Sequence, residues 1–172
     1  YINILLEGGQ ARAYSFANAP HDNALIELHV KLFPGGLFSP RAFTSLKVGD
    51  TLSIEGPFGR FTLRPGEQPI LLVATSTGFA PIKSIVEDAF HRGIRRPMQL
   101  YWGVRRGSDL YMREECERWQ REHDNFRFIP VLSREPAPEW AGRKGHVDTA
   151  ILEDFPDLRG HEVYICGSVQ LV

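Results

Sequence analysis

Two short segments carry residue types suited to holding phosphates. Residues 74–81 read Ala74-Thr75-Ser76-Thr77-Gly78-Phe79-Ala80-Pro81, small and rich in hydroxyls, between an apolar run and a helical pattern. Free backbone N–H groups and the dipole at such a helix start favour an anion such as a pyrophosphate. Of the glycines in G-x-G-x-x-G only Gly78 is present, so the dinucleotide fingerprint fails as written. An ordinary strand–helix turn explains the segment equally well. The second segment is Arg12-Ala13-Tyr14-Ser15. A guanidinium holds a phosphate in bidentate fashion, and a ring stacks on a planar cofactor. Strand periodicity puts Arg12 and Tyr14 on one face and Ser15 on the other. The plain alternative is an exposed Arg beside a core Tyr.

Other chemistries are excluded by what the chain lacks. The two cysteines, Cys116 and Cys166, cannot alone supply the four thiolates of an ordinary [2Fe-2S] cluster. No two of the six histidines stand three or four apart, so no zinc pair emerges. No Ser/His/Asp set and no carboxylate pair stands out for hydrolytic work. Cys116 shares a helix face with Met112 and Trp119 and reads as core.

These residues need elements to position them, and 172 residues allow roughly one domain or two small ones. Apolar residues at 42% can bury a core, and a net charge of −1 gives no field for a phosphodiester backbone, which argues against a nucleic-acid binder. The longest apolar run, Ile70-Leu71-Leu72-Val73-Ala74, is far short of the about twenty residues of a membrane span. Few cysteines and no secretory segment suggest a cytoplasmic setting. The chain starts at Tyr1 and enters Ile2-Asn3-Ile4-Leu5-Leu6 in mid-strand pattern, as an excised fragment would.

The two parts of the chain differ in pattern. In residues 1–68, Ile26, Leu28, Val30 and Leu32 alternate with Glu27, His29, Lys31 and Phe33, and Thr51-Leu52-Ser53-Ile54 alternates likewise. Turn signals such as Gly8-Gly9, Pro34-Gly35-Gly36 and Gly56-Pro57 separate these runs, which predicts an antiparallel barrel or sandwich. One short helix is expected from Ser39 to Leu46, with Ser39 as N-cap and Pro40 at its first position. In residues 69–172, strands at Ile70–Ala74, Met98–Val104, Phe126–Leu132 and Glu162–Cys166 are expected. They alternate with helices at Phe79–Arg92, Leu110–His123 (capped by Asp109) and Val147–Asp154. That order means βαβ units and a parallel sheet, whose ligands bind beyond the carboxyl ends of the strands. The boundary falls at Pro65-Gly66-Glu67-Gln68-Pro69.

Taken together, the motifs resemble those of the ferredoxin–NADP reductase-like flavoprotein reductases. The nearest branch is the oxygenase-reductase and CDP-6-deoxy-glucoseen reductase type of module. The resemblance rests on Arg12-x-Tyr14-Ser15, Gly35-Gly36-Leu37-Phe38-Ser39, Gly56-Pro57-Phe58-Gly59, Thr77-Gly78-x-Ala80-Pro81, Tyr101-Trp102-Gly103-Val104-Arg105 and Cys166-Gly167-Ser168, in the family's order. It implies an antiparallel β-barrel that binds FAD, followed by a Rossmann-like domain that binds NADH or NADPH. It implies that Arg12 holds the flavin phosphate, Tyr14 packs on the isoalloxazine and Ser15 bonds near flavin N5. His29, Val30 and Lys31 would line the flavin strand, although a solvated polar face is an equal alternative for the His29 and Lys31 side chains. Gly36, Leu37, Phe38 and Ser39 would cradle the flavin pyrophosphate at a helix start.

In the second part the resemblance implies that Thr77, Gly78 and Pro81 hold the nicotinamide nucleotide's pyrophosphate. Gly103 and Arg105 would face its adenosine end. Cys166, Gly167 and Ser168 would sit where the nicotinamide meets the flavin; the alternative for Cys166 is a buried core thiol. Tyr14, Ser15 and Cys166 are the implied catalytic residues. Ser133-Arg134 would hold a 2′-phosphate or form a plain turn, and the oxygenase-reductase branch favours NADH. The implied reaction moves a hydride from nicotinamide to bound FAD, then single electrons to a ferredoxin-like [2Fe-2S] domain, fused upstream or separate, and possible terminal oxygenase. A free-flavin reductase, a non-catalytic FAD-binding electron-transfer subunit and a fold without cofactor are the rival readings. Ser76 departs from the glycine of many relatives, as do Val169-Gln170-Leu171-Val172 from their sequence, and the resemblance implies that the family's first barrel strands and last helix fall outside this stretch.

Overall fold

The computed structural model describes residues 1–134 and 140–168. The first lobe is built on an antiparallel sheet in the order β2–β1–β3, from β1 (Ile2–Leu5), β2 (Ala11–Tyr14) and β3 (Ile54–Glu55). Alternation drives Ile2 and Ile4 to the inner face, where they bury with Phe38 and are edged by Tyr14, Leu28, Val30 and Leu52. Gly8 and Gly9, at φ +73° and +74°, turn β1 into β2 through the left-handed region that costs glycine little.

Residues 26–32 do not form the expected regular strand. They make one bridge, Phe16 to Leu28, and one backbone bond from Ala17 N to Glu27 O at 2.9 Å. Alternation here assigns faces but supplies no continuous ladder: Leu28 and Val30 pack on the small core, while Ile26 and Leu32 stay exposed. The expected strand at 51–54 is regular only at its end, in β3. Helix α1 (Ser39–Thr44) is shorter than anticipated, and Ser39 does not cap it. Its hydroxyl accepts the Phe33 N–H at 3.0 Å, so it closes the 33–36 turn instead of meeting helix amides.

The second lobe is a five-stranded parallel sheet in the order β7–β6–β5–β4–β8. The strands are β4 (Ile70–Thr75), β5 (Met98–Val104), β6 (Phe126–Leu132), β7 (Arg143–Lys144) and β8 (Glu162–Cys166). Helices α2 (Phe79–His91) and α3 (Arg113–Glu122) cover one face and α4 (Val147–Asp154) the other. This two-sided cover explains the unbroken apolar run in β4. Ile70, Leu72 and Ala74 join the cluster under α2, and Leu71 and Val73 join the one under α4. Phe79 stacks on Trp102 at 3.9 Å between ring centres, both fully buried, which fixes the start of α2 over β5. Helix α3 starts three residues later than expected, because Gly107–Asp109 form a separate 3-10 turn. Asp109 accepts from Arg106 N at 3.1 Å and closes that turn rather than α3. The chain moves outward from β4 through β5 and β6 to β7 and returns to pair β8 on the other side of β4. The sheet's switch point therefore lies at the carboxyl ends of β4 and β8.

Candidate cofactor cleft

At that switch point β4 runs into a tight 3-10 turn, Ser76–Gly78, and then directly into α2. Three contacts hold the turn. Trp102 Nε1 donates to the Ser76 carbonyl at 3.0 Å, and Ser168 N donates to Thr75 Oγ1 at 3.1 Å. Gly78 lies against the end of β8 so closely that a Cβ there would stand 2.2 Å from the Cys166 carbonyl oxygen. Thr77, Gly78, Cys166, Gly167 and Ser168 are thus brought together at one sheet end, as the sequence implies. Ser76 takes φ +50°, a left-handed conformation unusual outside glycine.

The first lobe closes a cavity of about 340 Å³ over this turn. His29, Val30 and Lys31 form one wall, and Ser76, Thr77, Ser108, Asp109 and Tyr111 the other. Lys31 reaches across the lobes to Ser76 Oγ at 3.4 Å. Lys31 and Asp109 also line an adjoining cavity of about 260 Å³ with Arg105, Arg106 and Arg134. Four cations against one carboxylate make this end electropositive, suited to the phosphates of a dinucleotide. The Ser133 hydroxyl donates back to the Val104 carbonyl at 3.4 Å, and Arg134 rather than Ser133 lines the cavity. Gly103 does not face a cleft. It is buried under α4, where a Cβ would meet Val147 Cβ at 2.8 Å.

A third cavity, about 440 Å³ and mainly apolar, lies between Ser15, Phe16, Phe58 and Phe61 of the first lobe and Pro81 and Ser84 of α2. On β2, Arg12 and Tyr14 pair with Ile4 and Ile2 and share a face, as period two predicts. Arg12 is exposed, and its guanidinium meets only the neighbouring Ala11 carbonyl, at 2.7 Å. The Tyr14 ring packs edge-on against Phe38 at 5.4 Å, and burial raises its phenol pKa despite the Arg12 charge. Phe38 is part of the core and offers no open face; Leu37 is exposed and Gly36 half-buried. Cys166 is half-buried, and burial pushes its thiol up. Cys116 is in the core as read.

Sequence reading passed over Glu27, Lys83, Arg106 and Tyr111. Lys83 lies one residue off the apolar stripe of α2, with Glu87 four residues on. That spacing signals an intrahelical pair but not the first-lobe partner it meets.

An antiparallel lobe that precedes a parallel α/β lobe, with a cleft at the switch point between them, defines a class of two-lobed reductase. The chain belongs to the ferredoxin reductase-like flavoprotein family: the oxidoreductase NAD-binding domain matches residues 72–172 and the oxidoreductase FAD-binding domain residues 1–63. Among curated relatives, it is 41% identical over 172 residues to a CDP-6-deoxy-L-threo-D-glycero-4-hexulose-3-dehydrase reductase of Yersinia pestis, covering 100% of this chain and 51% of the relative. It is 43% identical over 176 residues to terephthalate 1,2-dioxygenase reductase component 1 of a Comamonas species, again covering 100% of this chain and 51% of the relative. The solved Amycolatopsis cytochrome P450 reductase GcoB superposes with a TM-score of 0.88 at 37% identity, over 96% of this chain and 51% of that one. The chain spans about half the length of the curated relatives it matches. No helix among the described residues is long and apolar enough to cross a membrane.

Proposed function

We propose that the chain is the FAD- and nicotinamide-binding core of an NAD(P)H-dependent flavoprotein reductase, with residues 1–68 as the flavin lobe and 69–172 as the nucleotide lobe. Bound FAD would supply the conversion of a two-electron hydride into single electrons. The observation that carries the reading is the electropositive cleft at the β4–β8 switch point, walled by both lobes. The residues fit the two cofactors. Arg12 has an exposed guanidinium, bonded only to the adjacent Ala11 carbonyl, for the flavin phosphate, and Tyr14 offers a ring beside it. Ser15, just past the end of β2, lines the cavity it shares with Pro81 and Ser84 of α2. Thr77 and Gly78 hold the nucleotide's pyrophosphate over the α2 start, with Pro81 in the first turn. Lys31, Arg105 and Arg134 take the charge toward its adenosine end. Cys166, with Gly167 and Ser168 behind it, gives the nicotinamide a small, soft neighbour at the strand end. No general base is required, which accords with the raised thiol pKa of Cys166. Ser39 and Gly36 act by shaping the 33–39 turn, since the Ser39 hydroxyl is engaged with Phe33.

The reductase names among the relatives support an oxygenase system as the destination of the electrons, and we propose a ferredoxin-like [2Fe-2S] domain or protein as the first acceptor. Two free cysteines support a cytoplasmic setting. The test is one cuvette. The intact protein, reconstituted with FAD, should show a flavin spectrum that bleaches on anaerobic addition of NADH or NADPH. A colourless protein after reconstitution sinks the flavin assignment, and a yellow protein that neither nucleotide bleaches leaves only an electron-transfer subunit.

A further inference from the structure

Lys83 lies within α2, faces the first lobe and is 6% exposed. Its ammonium donates to the Ala17 carbonyl at 3.3 Å, Glu27 Oε2 at 3.1 Å and Glu87 Oε2 at 2.9 Å. Three protons meet three acceptors, and two of those belong to the first lobe. The other oxygen of Glu27 lies 2.9 Å from His29 Nε2, and His29 Nδ1 lies 2.7 Å from the Tyr111 hydroxyl. A neutral ring protonated at Nε2 satisfies both contacts: it donates to Glu27 and accepts from Tyr111. The bonds thus leave the second lobe at α2, cross to residues 27–29 and return to the second lobe beyond β5.

A buried ammonium is costly to desolvate, and an apolar side chain of the same length would fill the space. What the ammonium adds is direction, because three N–H bonds fix a carbonyl and two carboxylates at set positions. The segments so fixed are those that wall the cleft. Ala17 follows Ser15 by two residues, and His29 begins His29-Val30-Lys31. Lys83 itself stands in the second turn of the helix that starts at the Thr77-Gly78 turn.

We infer that Lys83 is a positioning residue for hydride transfer: through Ala17 and Glu27 it sets the distance between the flavin-side segments and the nucleotide-side turn. The inference rests on the reductase reading. Lys83 lines none of the three cavities described above. Its effect falls on the ring-to-ring spacing, and a misplacement of about 1 Å costs a reaction roughly 100-fold.

The test uses the FAD-loaded, full-length protein and compares Lys83→Met, Lys83→Arg and Glu27→Gln with the parent. In Lys83→Met, FAD occupancy and nucleotide Kd should stay within about twofold, while anaerobic flavin reduction at saturating nucleotide slows by about 10- to 100-fold. Lys83→Arg, which keeps charge and donors, should recover most of that rate. Glu27→Gln, which keeps the volume, should slow reduction in the same way and covers the case in which Lys83→Met fails to fold. A second readout does not depend on activity. The groups that act on His29 are Glu27, Lys83 and Tyr111, with Glu87 joined to Lys83 and Glu115 of α3 beyond it. Removal of the Lys83 charge should raise the His29 pKa, followed by NMR of labelled histidine. A packing role alone would lower Tm and leave the saturated reduction rate unchanged, and an unmoved His29 pKa would mean that Lys83 is not joined to His29 through Glu27; either outcome overturns the inference. If the parent holds FAD but neither nucleotide reduces it, the reductase reading itself fails, whatever the variants do.

Discussion

Ser76 holds φ +50° at the mouth of the cleft, where its carbonyl accepts from Trp102 and its hydroxyl faces Lys31. The left-handed region costs a non-glycine residue about 1–2 kcal/mol, and glycine's extra unfolded-state freedom returns about 0.5–1 kcal/mol of any gain. Ser76→Gly should therefore stabilise the protein by about 0.5–1 kcal/mol, seen as a rise in Tm of a few degrees. Gly78 is the opposite case. A methyl group placed 2.2 Å from the Cys166 carbonyl oxygen forces α2 and β8 apart. Gly78→Ala should destabilise by about 2–3 kcal/mol and weaken nucleotide binding more than flavin binding, measured by titration of each. At the basic end, Arg134→Ala should raise KM for NADPH by about tenfold, the worth of one charge-assisted pair, and affect NADH less. Equal effects on both nucleotides would mean that Arg134 meets the shared pyrophosphate.

At the scale of elements, the β4–α2 turn takes its shape from three neighbours: β5 through Trp102, β8 through Ser168, and the Gly78–Cys166 approach. Trp102→Phe keeps the stack on Phe79 but deletes the Nε1 bond to Ser76. It should cost about 1 kcal/mol and raise the nucleotide Kd while FAD binding holds, which equilibrium unfolding and titration would show. The sequence periodicity located such elements well where apolar spacing marks them. The bounds of β5, β6, β8 and α4 follow from apolar runs and helical spacing, and all stand in the parallel lobe. It failed where hydrogen-bond partners decide. Residues 26–32 alternate correctly but lack a continuous neighbouring strand, and Ser39 reads as a cap although Phe33 claims its hydroxyl. Strand β7 has two residues, too few for any period. The site shows the same division. Thr77, Gly78 and the Cys166 segment were legible from their place beyond strand ends. Gly103 was misplaced because the packing of α4 onto β5 has no local signature. The departure at Val169-Gln170-Leu171-Val172 lies outside the described residues.

For the whole molecule, the lobes meet through ionisable groups, so their union depends on pH. Burial lowers the pKa of His29 from its usual 6.5, with Glu27 opposing only in part. The unfolded chain then takes up that proton first, so the His29 contribution is complete above about pH 6.5 and is lost as pH falls toward the lower folded value. Burial raises Glu27 and Glu162, but bonds from His29 and Lys83 to the one, and from Arg96 and Tyr164 to the other, outweigh it and leave both lowered from 4.5. Their contribution is present above 4.5 and vanishes below it. Glu87 runs the other way: burial raises it, so acid relieves a cost there. For Lys83, burial is outweighed by Glu87 and Glu27, its pKa is raised from 10.5, and its contribution disappears only in strong alkali. The urea midpoint should thus fall as pH drops from 6.5 toward 5, with the His29 loss opposed only by Glu87, while the buried thiols of Cys116 and Cys166 cost stability as pH rises toward 9 and beyond. His29→Gln removes the group that acts in that window while leaving a side chain that can bond Glu27. The variant should keep its midpoint down to about pH 5 and then join the parent's decline. An unchanged acid limb in His29→Gln would place the proton uptake elsewhere and leave the lobe junction indifferent to pH.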